Sequence, residues 1–256
     1  MHRILFEIAG FKVYSYGFMI ALGFLVALVF SVRESKEKGF GSFLMQDLFF
    51  WSVLIGFLGA RIVYIIIQWQ YFLLYPFELL FSKGGFVFYG GFIFGLLAAI
   101  IFLRIKRIAF YPVADIVMPY IVLAHAFGRL GCFLNGCCYG VPTTAFYGVR
   151  FPADCAAGQI AGKLVPVQLV SVFVLLVIFW VLTALKKKVN TEGLIFWLYV
   201  FLYSSARFLL EFIRYDDRGT IGIFSVSQVF AICFIVVSIF MFFRLKKNTK
   251  SHSNNV

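Results

Sequence analysis

The sequence predicts an all-α integral membrane protein: seven transmembrane helices with a small outer cap, periplasmic or extracellular. Three observations carry this reading. Of 256 residues, 62% are hydrophobic and only 13% charged, a balance suited to a chain solvated largely by lipid. Seven apolar stretches approach or exceed the roughly twenty residues needed to cross a hydrocarbon core. Thirteen of the 23 lysines and arginines lie in four connections that alternate with the remaining ones, as the positive-inside rule requires. The expected organisation is one multi-spanning domain over 1–256, with a cap region at 135–165 inserted after the fourth span.

The chain opens with MHRILFEIAGFKVYSYG, which lacks the compact basic start, short apolar core and small-residue cleavage site of a removable signal. The first apolar stretch, 13–32, is therefore expected to remain as a span. The second, 43–69, leads into an aromatic connection at 70–85 that contains Pro76 and suits the membrane interface. Spans at 86–103 and 112–128 come next, then the Gly- and Pro-bearing cap region, then spans at 166–185, 194–213 and 223–243. Arg33, Lys36 and Lys38, then Arg104, Lys106 and Arg107, then Lys186, Lys187 and Lys188, then Arg244, Lys246, Lys247 and Lys250 mark one face. The other holds Arg3, Lys12, Lys83, Arg150, Lys163, Arg214 and Arg218. The richer face is the cytoplasmic one, which puts the amino end outside and the carboxyl end inside. The net charge of +12 then reports topology and contact with anionic membrane lipid, and the basic tail RLKKNTK needs no nucleic acid to explain it.

The chemistry concentrates at 125–140, HAFGRLGCFLNGCCYG. An arginine costs roughly 2.5–3.5 kcal/mol at the centre of a membrane helix, so Arg129 marks a site, with an anion as the natural partner. His125 lies four residues earlier and shares its helix face; a hydrogen-bonded packing role is the plainer reading of a lone histidine. Gly128, Gly131, Gly136 and Gly140 suggest a cradle in which backbone N–H groups approach a bound group. In the sixth span Tyr203, Arg207, Glu211 and Arg214 form one polar stripe, and Arg207 can pair with Glu211. Arginines on two separate spans are costly unless they share an anion. Arg61 falls on the same outward half of its span; it cannot reach Asp47 on its own helix, and Asp115 is a candidate partner. This pattern suits a phosphate at outer headgroup depth. An anion carrier or channel could use such arginines too, although no internal repeat with broken helices is evident.

Five cysteines are present, and C-x4-C-C at 132–138 lacks the paired knuckles of a zinc site, so no metal and no cofactor is expected. A disulfide such as Cys138 to Cys155 stays open, because spacing alone does not decide it. No serine triad, P-loop, dinucleotide fingerprint or HExxH occurs, which leaves electrostatic stabilisation as the implied chemistry.

GRLGCFLNGCCYG resembles the signature of the prolipoprotein diacylglyceryl transferases, and the resemblance runs over nearly the whole chain. YSYGFMIALG, GARIVY, FYGG, ARFLLEFIR and FSVSQ are similar to further family segments in the same order. The resemblance implies transfer of a diacylglyceryl group from phosphatidylglycerol to the thiol of a lipobox cysteine in a prolipoprotein, outside the bacterial cytoplasmic (inner) membrane, with release of glycerol phosphate. It implies that Arg129 and Arg207 hold the phosphate, that Tyr16, Asn135, Gly136 and Gly140 shape the headgroup site, and that Tyr203 and Glu211 support Arg207. Arg61 is counted with the lipid-binding residues. The nucleophile comes from the substrate. Departures are Tyr89 where the best-known members carry a histidine, Cys137 for a glutamate, Cys132 for an asparagine, and VPVQLVS at 165–171. His125 is then the expected base for the incoming thiol, with Tyr89 donating a hydrogen bond. A relative that delivers the same lipid to a different acceptor is the alternative these departures allow.

Overall fold

A computed structural model describes residues 2–8, 11–82, 84–215 and 220–253; Lys83 and Arg218, counted above on the outer face, lie outside the described residues. Among the described residues, seven helices are long and apolar enough to cross a membrane. They are α1 (Ser15–Glu37), α2 (Ser42–Ile67), α5 (Phe88–Ile105), α6 (Phe110–Asn135), α7 (Val167–Lys186), α8 (Leu194–Glu211) and α9 (Val226–Ser253); two short helices, α3 (Trp69–Leu74) and α4 (Pro76–Phe81), come directly after α2. Their burial is the reverse of a water-soluble bundle. Ser15, Ser31, Ser35, Ser204 and Ser238 are buried while Phe43, Phe88, Phe173, Trp180 and Phe240 point outward. In lipid, large apolar side chains lose nothing by facing outward, and small residues let helix backbones approach.

The chain divides into two compact units, Ser31–Val113 and the remainder, Met1–Phe30 with Ala114–Val256. In the first, α2 and α5 meet along small residues. A side-chain carbon added at Gly95 would stand 3.0 Å from the Ser52 carbonyl oxygen, and one at Gly56 would stand 3.0 Å from that of Gly91. Ser52, Gly56 and Ala60 on α2 thus repeat every four residues against Gly91 and Gly95 on α5, the small-xxx-small pattern of close helix pairs. Gly95→Leu is expected to force these backbones apart and lower the unfolding temperature in micelles, an overpacking cost of about 1–3 kcal/mol or more. Leu97→Ala, on an exposed position of the same helix, should leave it nearly unchanged.

The 70–85 connection, expected along the interface, forms α3 and α4, with Phe77 and Phe81 outward and Leu79 buried. It is held by Arg61. This guanidinium donates to the carbonyls of Leu79, Leu80 (2.9 Å), Ser82 (3.2 Å), Gly84 and Gly85 (3.1 Å) and to Ser82 Oγ. The rings of Tyr64 and Phe86 flank it at 5.7 and 5.3 Å. Arg61 therefore has a loop to hold, a duty the sequence reading missed because backbone carbonyls leave no signature in a side-chain pattern.

In the second unit an antiparallel hairpin, β1 (Ile4–Ile8) with β2 (Phe11–Tyr14), runs directly into α1. The sequence reading began the first span at residue 13 and expected no strand there. Close approach also joins α1 to α6: a carbon added at Gly23 would lie 2.8 Å from the Ala124 carbonyl oxygen, and one at Gly131 would lie 3.2 Å from Tyr16 Cα. Val122 and Ala126 of α6 pack with Leu175, Ile178 and Leu182 of α7 and Ile195 of α8, and Tyr199, Tyr203 and Ala206 lean on this core. Asp115, proposed above as a partner for Arg61, instead accepts from the N–H groups of Gly193 (2.6 Å) and Phe196 (2.8 Å). It satisfies the otherwise unpaired donors at the start of α8.

Residues 136–166 carry two short paired strands, β3 (Pro142–Thr143) and β4 (Lys163–Leu164), and a turn of 3₁₀ helix at Ala156–Gln159. Their small core is Phe151, Cys155, Ala157 and Leu164, packed on Phe133 of α6. Gln168 Nε2 donates to the Cys137 carbonyl at 2.8 Å and ties this region to α7. A last short hairpin, β5 (Thr220–Ile221) with β6 (Phe224–Ser225), leads into α9.

Candidate active site

The decisive local feature is the length of α6. The sequence reading ended the fourth span at residue 128 and treated the residues beyond it as a glycine-rich cradle. The helix in fact continues to Asn135, so residues 129–135 are helical and His125 and Arg129 stand one turn apart on one face. Arg129 Nε donates to His125 Nε2 at 3.3 Å, and the imidazole meets the Tyr203 ring edge-on at 5.1 Å. The shared core of α6, α7 and α8 brings this face to α8.

On α8 the expected stripe forms. Arg207 Nη1 lies 2.5 Å from Glu211 Oε2, and Arg214 Nε lies 3.9 Å from the same oxygen. All three side chains are nearly buried, at 13%, 10% and 4% exposure for Arg207, Glu211 and Arg214. Two serines complete the network: Ser225 Oγ donates to Glu211 Oε1 at 2.7 Å, and Arg207 Nη2 donates to Ser227 Oγ at 2.9 Å. Gln228 fixes Ser225, accepting from its N–H (3.0 Å) while donating its own N–H to Ser225 Oγ (3.2 Å). The segment FSVSQ resembles the family, but its sequence pattern alone assigns these residues no task. A serine pair just before and inside the start of a span, opposite a buried ion pair, was the signal available.

One narrow cleft is lined by Arg129, Arg207 and Arg214 together with Ser171, Tyr203 and Leu210. Three arginines thus line a single narrow space, with the Glu211 carboxylate paired to two of them. An anion of one to two negative charges offsets the remaining positive charge. Planar guanidinium forks suit phosphate oxygens better than ammonium groups do.

The remaining predicted residues take varied places. Tyr16, at the start of α1, sits against Gly131. Asn135 is the last residue of α6. Gly136 is left-handed (φ 69°) and gives its N–H to the Phe133 carbonyl at 3.2 Å. Gly140 gives its N–H to the Val165 carbonyl at 3.0 Å; a side-chain carbon there would stand 2.6 Å from the Ile213 carbonyl oxygen. Gly136 therefore serves the turn after α6 and its close approach to Cys155, and Gly140 the close approach of the cap region to the residues just after α8, rather than presenting open N–H groups to a ligand as the cradle reading supposes. Tyr89, the second residue of α5, belongs to the other unit; its ring is exposed and meets Phe88 edge-on at 5.9 Å. All five cysteines are thiols.

A family model described as prolipoprotein diacylglyceryl transferase matches residues 3–244. The chain belongs to the prolipoprotein diacylglyceryl transferase family. Relatives named phosphatidylglycerol–prolipoprotein diacylglyceryl transferase include one from Clostridium tetani, 37% identical over 245 residues, covering 94% of this chain and 97% of that one. A second from Clostridium perfringens is also 37% identical over 249 residues, covering 94% of each. One from Listeria monocytogenes is 32% identical over 250 residues, covering 94% of this chain and 90% of the relative. The match to the transferase family covers α1 to α8 and most of α9, so the cleft between α6, α7 and α8 is described on a chain related along nearly its whole length.

Proposed function

We propose that this multi-pass membrane protein transfers the diacylglyceryl group of phosphatidylglycerol to the lipobox cysteine of a prolipoprotein, with Arg129 and Arg207 gripping the phosphate. The observation that carries the reading is the single cleft lined by arginines from α6 and α8. In the reaction the cysteine sulfur bonds to the glyceryl carbon as that carbon's bond to the phosphate oxygen breaks. The electron pair leaves with glycerol phosphate and the thiol gives up its proton. Charge on the phosphate grows from one negative towards two during bond breaking, so fixed guanidinium groups hold the transition state more tightly than the substrate. Glu211, Ser225 and Ser227 orient Arg207, and Tyr203 packs beside His125.

His125 is proposed as the base. Its Nε2 accepts from Arg129. A phosphate that draws the Arg129 guanidinium away releases that nitrogen's lone pair, so the base becomes competent as the lipid arrives. For His125→Gln, which keeps a hydrogen-bonding side chain but cannot take up the thiol proton, transfer is expected to fall by about 10²–10⁴-fold with lipid binding retained. Full transfer by this variant would remove the base assignment and leave the phosphate assignment standing. The role of Tyr89 as a hydrogen-bond donor is a proposal from its place, where the best-known members of the family carry a histidine. Arg61 is proposed to contribute by holding the loop after α4, and Asn135, Gly136 and Gly140 by shaping the turn after α6.

The protein is proposed to lie in the bacterial cytoplasmic (inner) membrane with its amino end outside, its carboxyl end in the cytoplasm and the cleft towards the outer leaflet, an orientation supported by the distribution of lysine and arginine. The test is reconstitution with phosphatidylglycerol and a lipobox peptide. A thioether-linked product with the cysteine peptide and none with its serine version supports the reading. Glycerol phosphate release without peptide modification points to another acceptor, and anion uptake without lipid turnover points to a carrier.

A further inference from the structure

Beyond the arginine cleft, the turn that ends α6 gathers three thiols. The sulfur atoms of Cys132, Cys137 and Cys138 all lie within 4.8 Å of one another, Cys132 buried and the other two half-buried. Helical periodicity does not produce this. Cys132 is on the last turns of α6, and the chain returns to it only because Gly136 and Cys138 are both left-handed, with φ of 69° and 62°. A non-glycine residue in that region costs roughly 1–2 kcal/mol, and Cys138 is one of two such residues among those described. Backbone bonds lock the turn: Gly136 N–H to the Phe133 carbonyl and Cys137 N–H to the Cys132 carbonyl at 3.1 Å, with Gln168 holding the Cys137 carbonyl from α7. Cys155 stands apart, its thiol donating to the Pro152 carbonyl at 3.0 Å.

We infer that Cys132, Cys137 and Cys138 form a site for a soft, thiolate-binding metal cation of the zinc class. Metal–sulfur bonds of about 2.3 Å place the sulfurs of a tetrahedral or trigonal centre roughly 3.8–4.0 Å apart, so the thiols need to close by less than about 1 Å to reach a common ion. Binding releases the thiol protons and leaves a fourth position for water or another small ligand. The sequence reading set metal aside because C-x4-C-C is no zinc knuckle; the left-handed turn brings together what the spacing keeps apart. None of the three cysteines belongs to the proposed phosphate machinery, so the site stands or falls separately from it.

The test is titration of the reduced full-length protein in micelles with Cd2+, followed by thiolate-to-cadmium charge-transfer absorption. One ion per chain is expected, with an absorption that Zn2+ displaces. Cys138→Gly, which removes the thiol and suits the left-handed backbone, and Cys132→Ala should each weaken binding by about tenfold or more. Cys155→Ser and Cys233→Ser should leave it unchanged. Wild-type protein with no such absorption, or Cys138→Gly binding as wild type does while its thermal unfolding is intact, would overturn the inference.

Discussion

Arg129→Ala and Arg207→Ala are each expected to lower lipid transfer by about 10²–10³-fold, the usual cost of removing one preorganised donor from a developing oxyanion. With both groups acting on one phosphate, as proposed, the double variant should lose far less than the product of the single losses. Steady-state transfer to a lipobox peptide measures all three. Lysine at either position restores charge without the planar fork and should recover only part of the rate. Arg129 and Arg207 differ in one respect. Arg207 is braced by Glu211 and Ser227, whereas Arg129 rests against His125, so Arg129 is the one free to follow the phosphate.

Glu211→Ala is expected to unfold at a markedly lower temperature in micelles, with a loss of about 3–5 kcal/mol, since it leaves nearly buried guanidinium groups without their common carboxylate. Arg207 and Arg214 both approach Glu211 Oε2, and Ser225 loses its acceptor as well. Glu211→Gln keeps the Ser225 contact and should sit between wild type and alanine. Added phosphatidylglycerol should recover part of the lost stability in both variants, as a ligand anion substitutes for the missing charge. An alanine variant as stable as wild type would mean that the network contributes little to the fold.

Much of this architecture was legible in the residues, and the reason is periodicity. Seven apolar runs fix seven helices, and four-residue spacing fixes His125 beside Arg129 and Arg207 beside Glu211, because each relation is internal to one helix. What packs against a helix face is not written in that helix. The hydroxyls of Ser225 and Ser227 reach the ion pair from α9 and the strand before it, and the carbonyls that surround Arg61 come from a loop about twenty residues downstream. The extension of α6 was missed because glycines at 128, 131 and 136 read as a loop. Gly131 instead admits Tyr16 of α1 against the helix, and only Gly136 turns the chain. The hairpin at 4–14 escaped for a related reason: its apolar residues merge with the first span.

The central claim is that guanidinium groups from α6 and α8 close on the phosphodiester of one lipid. A structure of the protein with phosphatidylglycerol bound tests it most directly. The account predicts phosphate oxygens about 2.7–2.9 Å from nitrogens of both Arg129 and Arg207, with the Arg129 guanidinium withdrawn from His125. A headgroup bound elsewhere, with both arginines still holding only the partners they have without lipid, would contradict it.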